Sequence, residues 1–119
     1  MPHLVLEYSE PLDPMPDWAA VMGALADAVT ATGIARREDL KLRATGYRHL
    51  LLADGSRSFL HLTLSLLEGR TPDQKERLAL ACRACLVAAC PRVDAISVDI
   101  RDMDAHAYKK RVLQSAQRF

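Results

Sequence analysis

FLHLTLSLLEGRTPDQ, residues 59–74, contains the change of periodicity from which the fold can be read. Leu60, Leu62, Leu64 and Leu66 alternate with His61, Thr63 and Ser65, and this period of two describes a strand with one strongly apolar face. Gly69 and Arg70 interrupt it. Thr71 can then cap a helix, Pro72 suits a first turn that does not need its N–H, Asp73 favours the positive helix end, and Gln74 completes a capping box. Beyond it, Leu78, Ala81, Cys82, Cys85, Leu86 and Ala89 fall on one helical face until Pro91 forbids continuation. AISVDIR, residues 95–101, supplies another strand with Ile96, Val98 and Ile100 inward and Ser97, Asp99 and Arg101 outward. This half of the chain reads strand, helix, strand.

The first half reads the same way. In MPHLVLEYS, Leu4, Leu6 and Tyr8 alternate with His3, Val5 and Glu7, which fits a strand with two mostly covered faces ending at Ser9. EPLDPMP makes a turn and places Pro16 near the first helical position. Trp18, Val21, Met22, Leu25 and Val29 form one apolar stripe, and Gly33 is the expected C-cap. From Leu40 the period returns to two, with Leu40, Leu42 and Ala44 on one face and Lys41, Arg43 and Thr45 on the other. Two cations therefore share one side of a strand. Asp54-Gly55 predicts a hairpin between the second and third strands.

The expected class is α+β, a βαββαβ subunit made of two βαβ halves, each with a right-handed crossover, giving a four-stranded sheet with two helices on one face. With every strand rich in leucine or valine, the opposite face is expected to be too apolar for water and to be covered by other subunits. The polar, basic tail from residue 102 to 119, with Tyr108, Val112, Leu113 and Phe119 as scattered apolar points, is expected to pack on a neighbouring subunit.

At 119 residues, with 50% hydrophobic residues, one domain spanning 1–119 is expected. The 16 Lys and Arg nearly cancel the 15 Asp and Glu, which argues against a nucleic-acid surface or a polybasic membrane anchor. No apolar run reaches the ~18–20 residues that cross a bilayer, and the start lacks the pattern of a secretory signal, so a cytoplasmic protein is expected. Cys82, Cys85 and Cys90, an odd number in one segment, do not make a disulfide framework. Cys82 and Cys85 lie mid-helix at i, i+3, the spacing of small packing residues rather than of a redox or zinc motif. His3, His49, His61 and His106 show no ligand spacing, so no metal is expected, although His61 could lie near a pocket. Phosphate loops, nucleophile elbows and dinucleotide fingerprints are absent from the sequence.

One position invites chemistry. Loss of Met1 would make Pro2 a free secondary amine on a rigid ring, whereas retention of Met1 would leave an amide nitrogen that cannot act as a base. As a general base near neutral pH the amine must be largely uncharged, which an apolar pocket or nearby cations achieve by lowering its pKa. Lys41, Arg43 and Arg70 are candidates to do so, and to hold an anionic substrate and stabilise charge on an enolate oxygen. Many chains begin Met-Pro without catalytic use, and a solvated strand face or a surface loop is the ordinary setting for such cations.

MPHLVLEYS, ATGI, LKLRA, LLADG, FLHLTLSLLEGRT and the AISVDIRDMD and AYKK segments, in this order and spacing, resemble the 5-carboxymethyl-2-hydroxymuconate isomerase family of the tautomerase superfamily over nearly the whole chain. The resemblance implies a tautomerase-like homotrimer of βαββαβ subunits with active sites near subunit boundaries and without a cofactor. It implies Pro2 as catalytic base and Arg43 and Arg70 as binders of substrate carboxylates. Lys41 stands where the family has a further arginine, keeping the charge but losing the bidentate fork. The implied reaction is enol/keto isomerisation of an unsaturated 2-hydroxy or 2-oxo acid, a small dicarboxylate-like anion, within homoprotocatechuate breakdown. Two other readings keep the architecture: a tautomerase of different substrate specificity, or a non-catalytic ferredoxin-like module binding an anion or a protein.

Overall fold

The computed structural model describes residues 1–113. Along the chain these form β1 (His3–Ser9), α1 (Trp18–Ala31), a single 3-10 turn (Arg37–Asp39), β2 (Lys41–Tyr47), β3 (Phe59–Leu67), α2 (Pro72–Ala89) and β4 (Ala95–Met103). No helix among them is long and apolar enough to cross a membrane.

The alternation in β1 and β3 turns Leu4, Leu6, Leu60, Leu62, Leu64 and Leu66 toward the helices, where they are buried with Val21, Leu25 and Val29 of α1 and Leu78, Cys82 and Leu86 of α2. Removing each such leucine side chain from water is worth about 1.5–3 kcal/mol, so this one layer supplies the core. Both helices share it and pack against each other, as the two βαβ halves require. The capping box at Thr71 and Gln74 is formed in both directions. Gly33 follows the Thr32 C-cap at φ 75°, the left-handed geometry that lets the chain leave α1 sharply. Pro16 lies outside α1, because the Asp17 side chain takes the N-cap position by accepting from the Ala20 N–H.

The sheet order is β2-β1-β3-β4, with β1 parallel to β2, antiparallel to β3, and β3 parallel to β4. The expected hairpin between the second and third strands is therefore absent: β1 lies between them. Asp54-Gly55 instead makes a local turn in the connection, where the Gly55 N–H donates to Leu52 O at 3.1 Å. The physical reason is burial. β3, the strand richest in leucine, belongs at the centre, where β1 and β4 flank it, whereas the mixed β2 can be an edge. Because the two strands of each βαβ half are direct neighbours, the fold is not the split, ferredoxin-like arrangement considered from the sequence.

The face opposite the helices also differs from expectation. Its centre carries His3 and Glu7, Lys41, Arg43 and Thr45, His61, Thr63 and Ser65, and Ser97, Asp99 and Arg101 around Val5, while the same register puts Tyr47 and Phe59 at one end of the face and Leu67 and Met103 at the other. Alternation has sent most of the leucines under the helices and left the middle of this surface mainly polar. The middle of the face is therefore not the continuous apolar surface expected to be covered by other subunits.

Candidate active site

The parallel register that places Lys41 beside His3 also fixes what precedes them. The Lys41 N–H donates to Pro2 O at 3.0 Å, a first rung of the ladder that holds buried Pro2 against the entry of β2. A cavity of about 190 Å³ opens there, lined by Met1, Pro2, Ile34, Arg36, Asp39 and Arg70 among others. Gly33 directs Ile34 into this cavity, and the 3-10 turn brings Asp39 to Arg36, whose Nε donates to its carboxylate at 3.2 Å.

Arg70 arrives from the β3–α2 connection, between Gly69 at φ 120° and the capping Thr71. Its Nη1 donates to Leu67 O at 3.0 Å and its Nη2 to Ile34 O at 3.4 Å. Two backbone carbonyls thus orient a half-buried guanidinium without neutralising it, and among the described residues its remaining N–H groups have no hydrogen-bond partner, leaving them to meet an anion. The site pairs a fixed cation with the start of the chain.

Electrostatics act on the same spot. The α-amino group, carried here by Met1, is held below its ordinary pKa first by burial, then by Lys110 and less strongly by Arg70, while Asp39 pulls in the opposite direction. Removal of Met1 would place the Pro2 nitrogen within the same group of residues. An amine in these surroundings loses its proton more readily than one in water, which is the requirement for a base.

The other sequence-predicted residues do not enter this cavity. Lys41 and Arg43 project together from the open face of β2, as the alternation requires, and Arg43 Nη1 lies 3.1 Å from His3 Nδ1. His61 is also on that face, its Nδ1 2.6 Å from Ser97 Oγ, and is not part of the cavity lining at Pro2. The thiol of Cys82 is fully buried and pushed up to about 12 by burial and, second, by Cys85, which suits packing and not nucleophilic chemistry. Among the described residues no three His, Cys, Asp or Glu side chains converge on a metal site.

A larger hollow of about 470 Å³ lies between the proline-rich turn after β1 and the α2–β4 turn, away from Pro2 and every predicted cation. Arg36 and Asp39 are the cavity residues that sequence reasoning missed. Asp39 had a signal, since it comes just before a strand that pairs in parallel with β1 and so lies near the start of β1; Arg36 is held there by its bond to Asp39, which periodicity does not reveal.

A model of the 5-carboxymethyl-2-hydroxymuconate isomerase family matches residues 2–116. The chain belongs to this family. Among solved structures, a 5-carboxymethyl-2-hydroxymuconate isomerase from Deinococcus radiodurans R1 is 27% identical, with a TM-score of 0.79 over 92% of this chain and 88% of that one. A 5-carboxymethyl-2-hydroxymuconate delta-isomerase is 25% identical, with a TM-score of 0.69 over 94% and 88%. A native fused 4-OT is 20% identical, with a TM-score of 0.75 over 98% of both chains, which speaks for the fold alone. No curated protein matches significantly. As a member of the 5-carboxymethyl-2-hydroxymuconate isomerase family, within the tautomerase superfamily, the chain is an isomerase. The ordered resemblance read from the sequence is thereby borne out.

Proposed function

We propose that the protein isomerises an unsaturated 2-hydroxy or 2-oxo acid bearing two carboxylates, with the Pro2 secondary amine as general base after loss of Met1. The observation that carries this reading is the shared cavity of Pro2 and Arg70, where partial burial and the nearby Lys110 and Arg70 charges favour an unprotonated amine. The neutral amine removes the proton from the enol oxygen, the electron pair becomes a dienolate, and the proton returns to a distant carbon of the conjugated system. One O–H bond breaks and one C–H bond forms, the double bonds shift, and no electrons leave the substrate. The reaction needs no cofactor.

Arg70 grips one carboxylate and stabilises the charge that develops on the conjugated oxygen system. Arg43 and Lys41 lie on an edge strand, outside the cavity of their own protomer. We assign them to the boundary of a homotrimer, where they meet the second carboxylate at a neighbour's site. A fused 4-OT that is 20% identical, with a TM-score of 0.78, is described as a symmetric trimer, which supports this assembly. Family membership supports a 5-carboxymethyl-2-hydroxymuconate-type substrate and a place in homoprotocatechuate breakdown. Lys41 offers a point charge instead of a guanidinium fork, which favours a looser hold on that second carboxylate.

The test is ketonisation of 2-hydroxymuconate-type acids by chain whose mass shows Met1 removed, compared with Pro2→Ala. General-base catalysis is typically worth about 10²–10⁴-fold, so kcat/KM is expected to fall by at least about 10²-fold in the variant. Equal rates would remove the amine from the mechanism.

A further inference from the structure

We propose that His3 is a positioning residue that works only as a neutral imidazole, holding Arg43 through Nδ1 and the segment after β4 through Nε2 and Tyr108. The proposal rests on the reading that Arg43 handles a substrate carboxylate, and it gives that residue a pH-dependent mount.

The geometry fixes the tautomer. Arg43 Nη1 lies 3.1 Å from His3 Nδ1. A guanidinium only donates, so Nδ1 must accept and cannot carry a proton. The neutral ring then carries its hydrogen on Nε2, which lies 3.0 Å from Tyr108 Oη and donates to it. The two rings also meet edge to face, with centroids 5.9 Å apart and planes at 71°. One side chain, adjacent in sequence to Pro2, joins β1, the edge strand β2 and the segment beyond β4.

Tyr108 is delivered by a local device. Asp104 accepts the His106 N–H on Oδ1 at 2.8 Å, and its carbonyl accepts the N–H groups of Ala107 at 3.1 Å and Tyr108 at 2.9 Å. This turn folds the chain back from the end of β4 onto β1, and Lys110 two residues later is among the charges felt by the α-amino group. The tail was expected to pack on a neighbouring subunit; its Tyr108 instead packs on β1 of its own chain. Residues 114–119 of that expectation lie outside the described residues.

The surroundings oppose protonation of His3. Arg43 and Lys41 face it from β2 and the α-amino group lies at the start of its own strand. Ser65, opposite it on β3, is neutral, and Tyr108 from the following segment is a phenol. Glu7, on the same face of β1, is engaged by the Tyr47 hydroxyl. Burial and then these cations hold the imidazole below its ordinary pKa. When acid does protonate the ring, Nδ1 gains a hydrogen, can no longer accept from Arg43, and presents a positive charge to it. Arg43 is released.

The experiment is ¹⁵N-imidazole NMR on the full chain, from about pH 5 to about pH 8, the interval in which histidine changes charge. Wild type, Arg43→Gln and Tyr108→Phe are compared, and KM and kcat are measured on 2-hydroxymuconate-type acids. Near neutral pH, His3 is expected to show an unprotonated Nδ1 and a protonated Nε2, titrating below the ordinary histidine value. Arg43→Gln should raise that pKa. Tyr108→Phe, which keeps the ring packing, should raise KM several-fold with little change in kcat. An Nδ1–H tautomer, a pKa at or above the ordinary value, a pKa unmoved by Arg43→Gln, or a KM unmoved by Tyr108→Phe would each overturn the proposal. Wild type inactive on these acids would refute the proposed function, while the tautomer and its response to Arg43→Gln would still decide whether the mount exists.

Discussion

Arg70 and Arg43 have the same side chain and a similar sequence-level case, yet the fold treats them differently. Arg70 is braced by two backbone carbonyls inside the cavity, whereas Arg43 is braced by an imidazole on the open sheet face. Alternation in β2 was enough to read which way Lys41 and Arg43 point. It could not show that Ile34, far from Arg70 in sequence, would supply a carbonyl to it, because that contact depends on where Gly33 turns the chain. The cysteines were legible, since i, i+3 spacing on an apolar stripe fixes burial. Burial lifts all three thiols, Cys82 to about 12, so thiolate is scarce at neutral pH. Mass-resolved alkylation of the native protein should therefore label fully buried Cys82 more slowly than half-buried Cys85. Labelling of Cys82 as fast as Cys85 would mean the α2 face is not packed as described.

Both helices and all four strands were readable from periodicity and caps, because each of those signals is local. Strand adjacency was not. A turn dipeptide after LLLA implies a hairpin only if the strands on either side are neighbours, and here the demand to bury β3 centrally inserts β1 between them. The capping box at α2 is the strongest local signal and has an energetic consequence. Thr71 Oγ1 accepts the Gln74 N–H at 3.2 Å, and Gln74 Oε1 accepts the Thr71 N–H at 2.9 Å. Thr71→Ala removes the first of these and should lower unfolding free energy by about 1 kcal/mol, read as a shifted denaturant midpoint at unchanged slope. Because the same residue follows Arg70, fraying of this helix end should also weaken substrate binding. An unchanged midpoint would show that the cap contributes nothing in this context.

At the scale of the molecule, the sequence suggested assembly for a reason the structure withdraws. The middle of the open sheet face is polar, so the proposed trimer would rely there on shape, paired charges and hydrogen bonds more than on a continuous apolar surface. Leu50 and the 88%-exposed Leu51 stand in the connection after β2 and offer the exposed aliphatic surface at this edge. The proposed trimer predicts a solution mass of roughly 40 kDa, against 13.2 kDa for one chain. It also predicts that high salt weakens the assembly, because charged side chains populate the face. Light scattering that gives the monomer mass at working concentration would leave Arg43 and Lys41 without a neighbouring site to serve.

Catalysis as proposed depends on the ionisation of one nitrogen. With ¹⁵N-labelled proline in chain lacking Met1, the Pro2 amine can be titrated directly and compared with the rising limb of kcat/KM against pH. Burial and the cations at this spot depress an amine there, so the Pro2 signal should titrate below the ordinary value for a free prolyl amine and coincide with the kinetic limb. A Pro2 nitrogen that titrates at its ordinary value, or whose titration bears no relation to the rate, would contradict it.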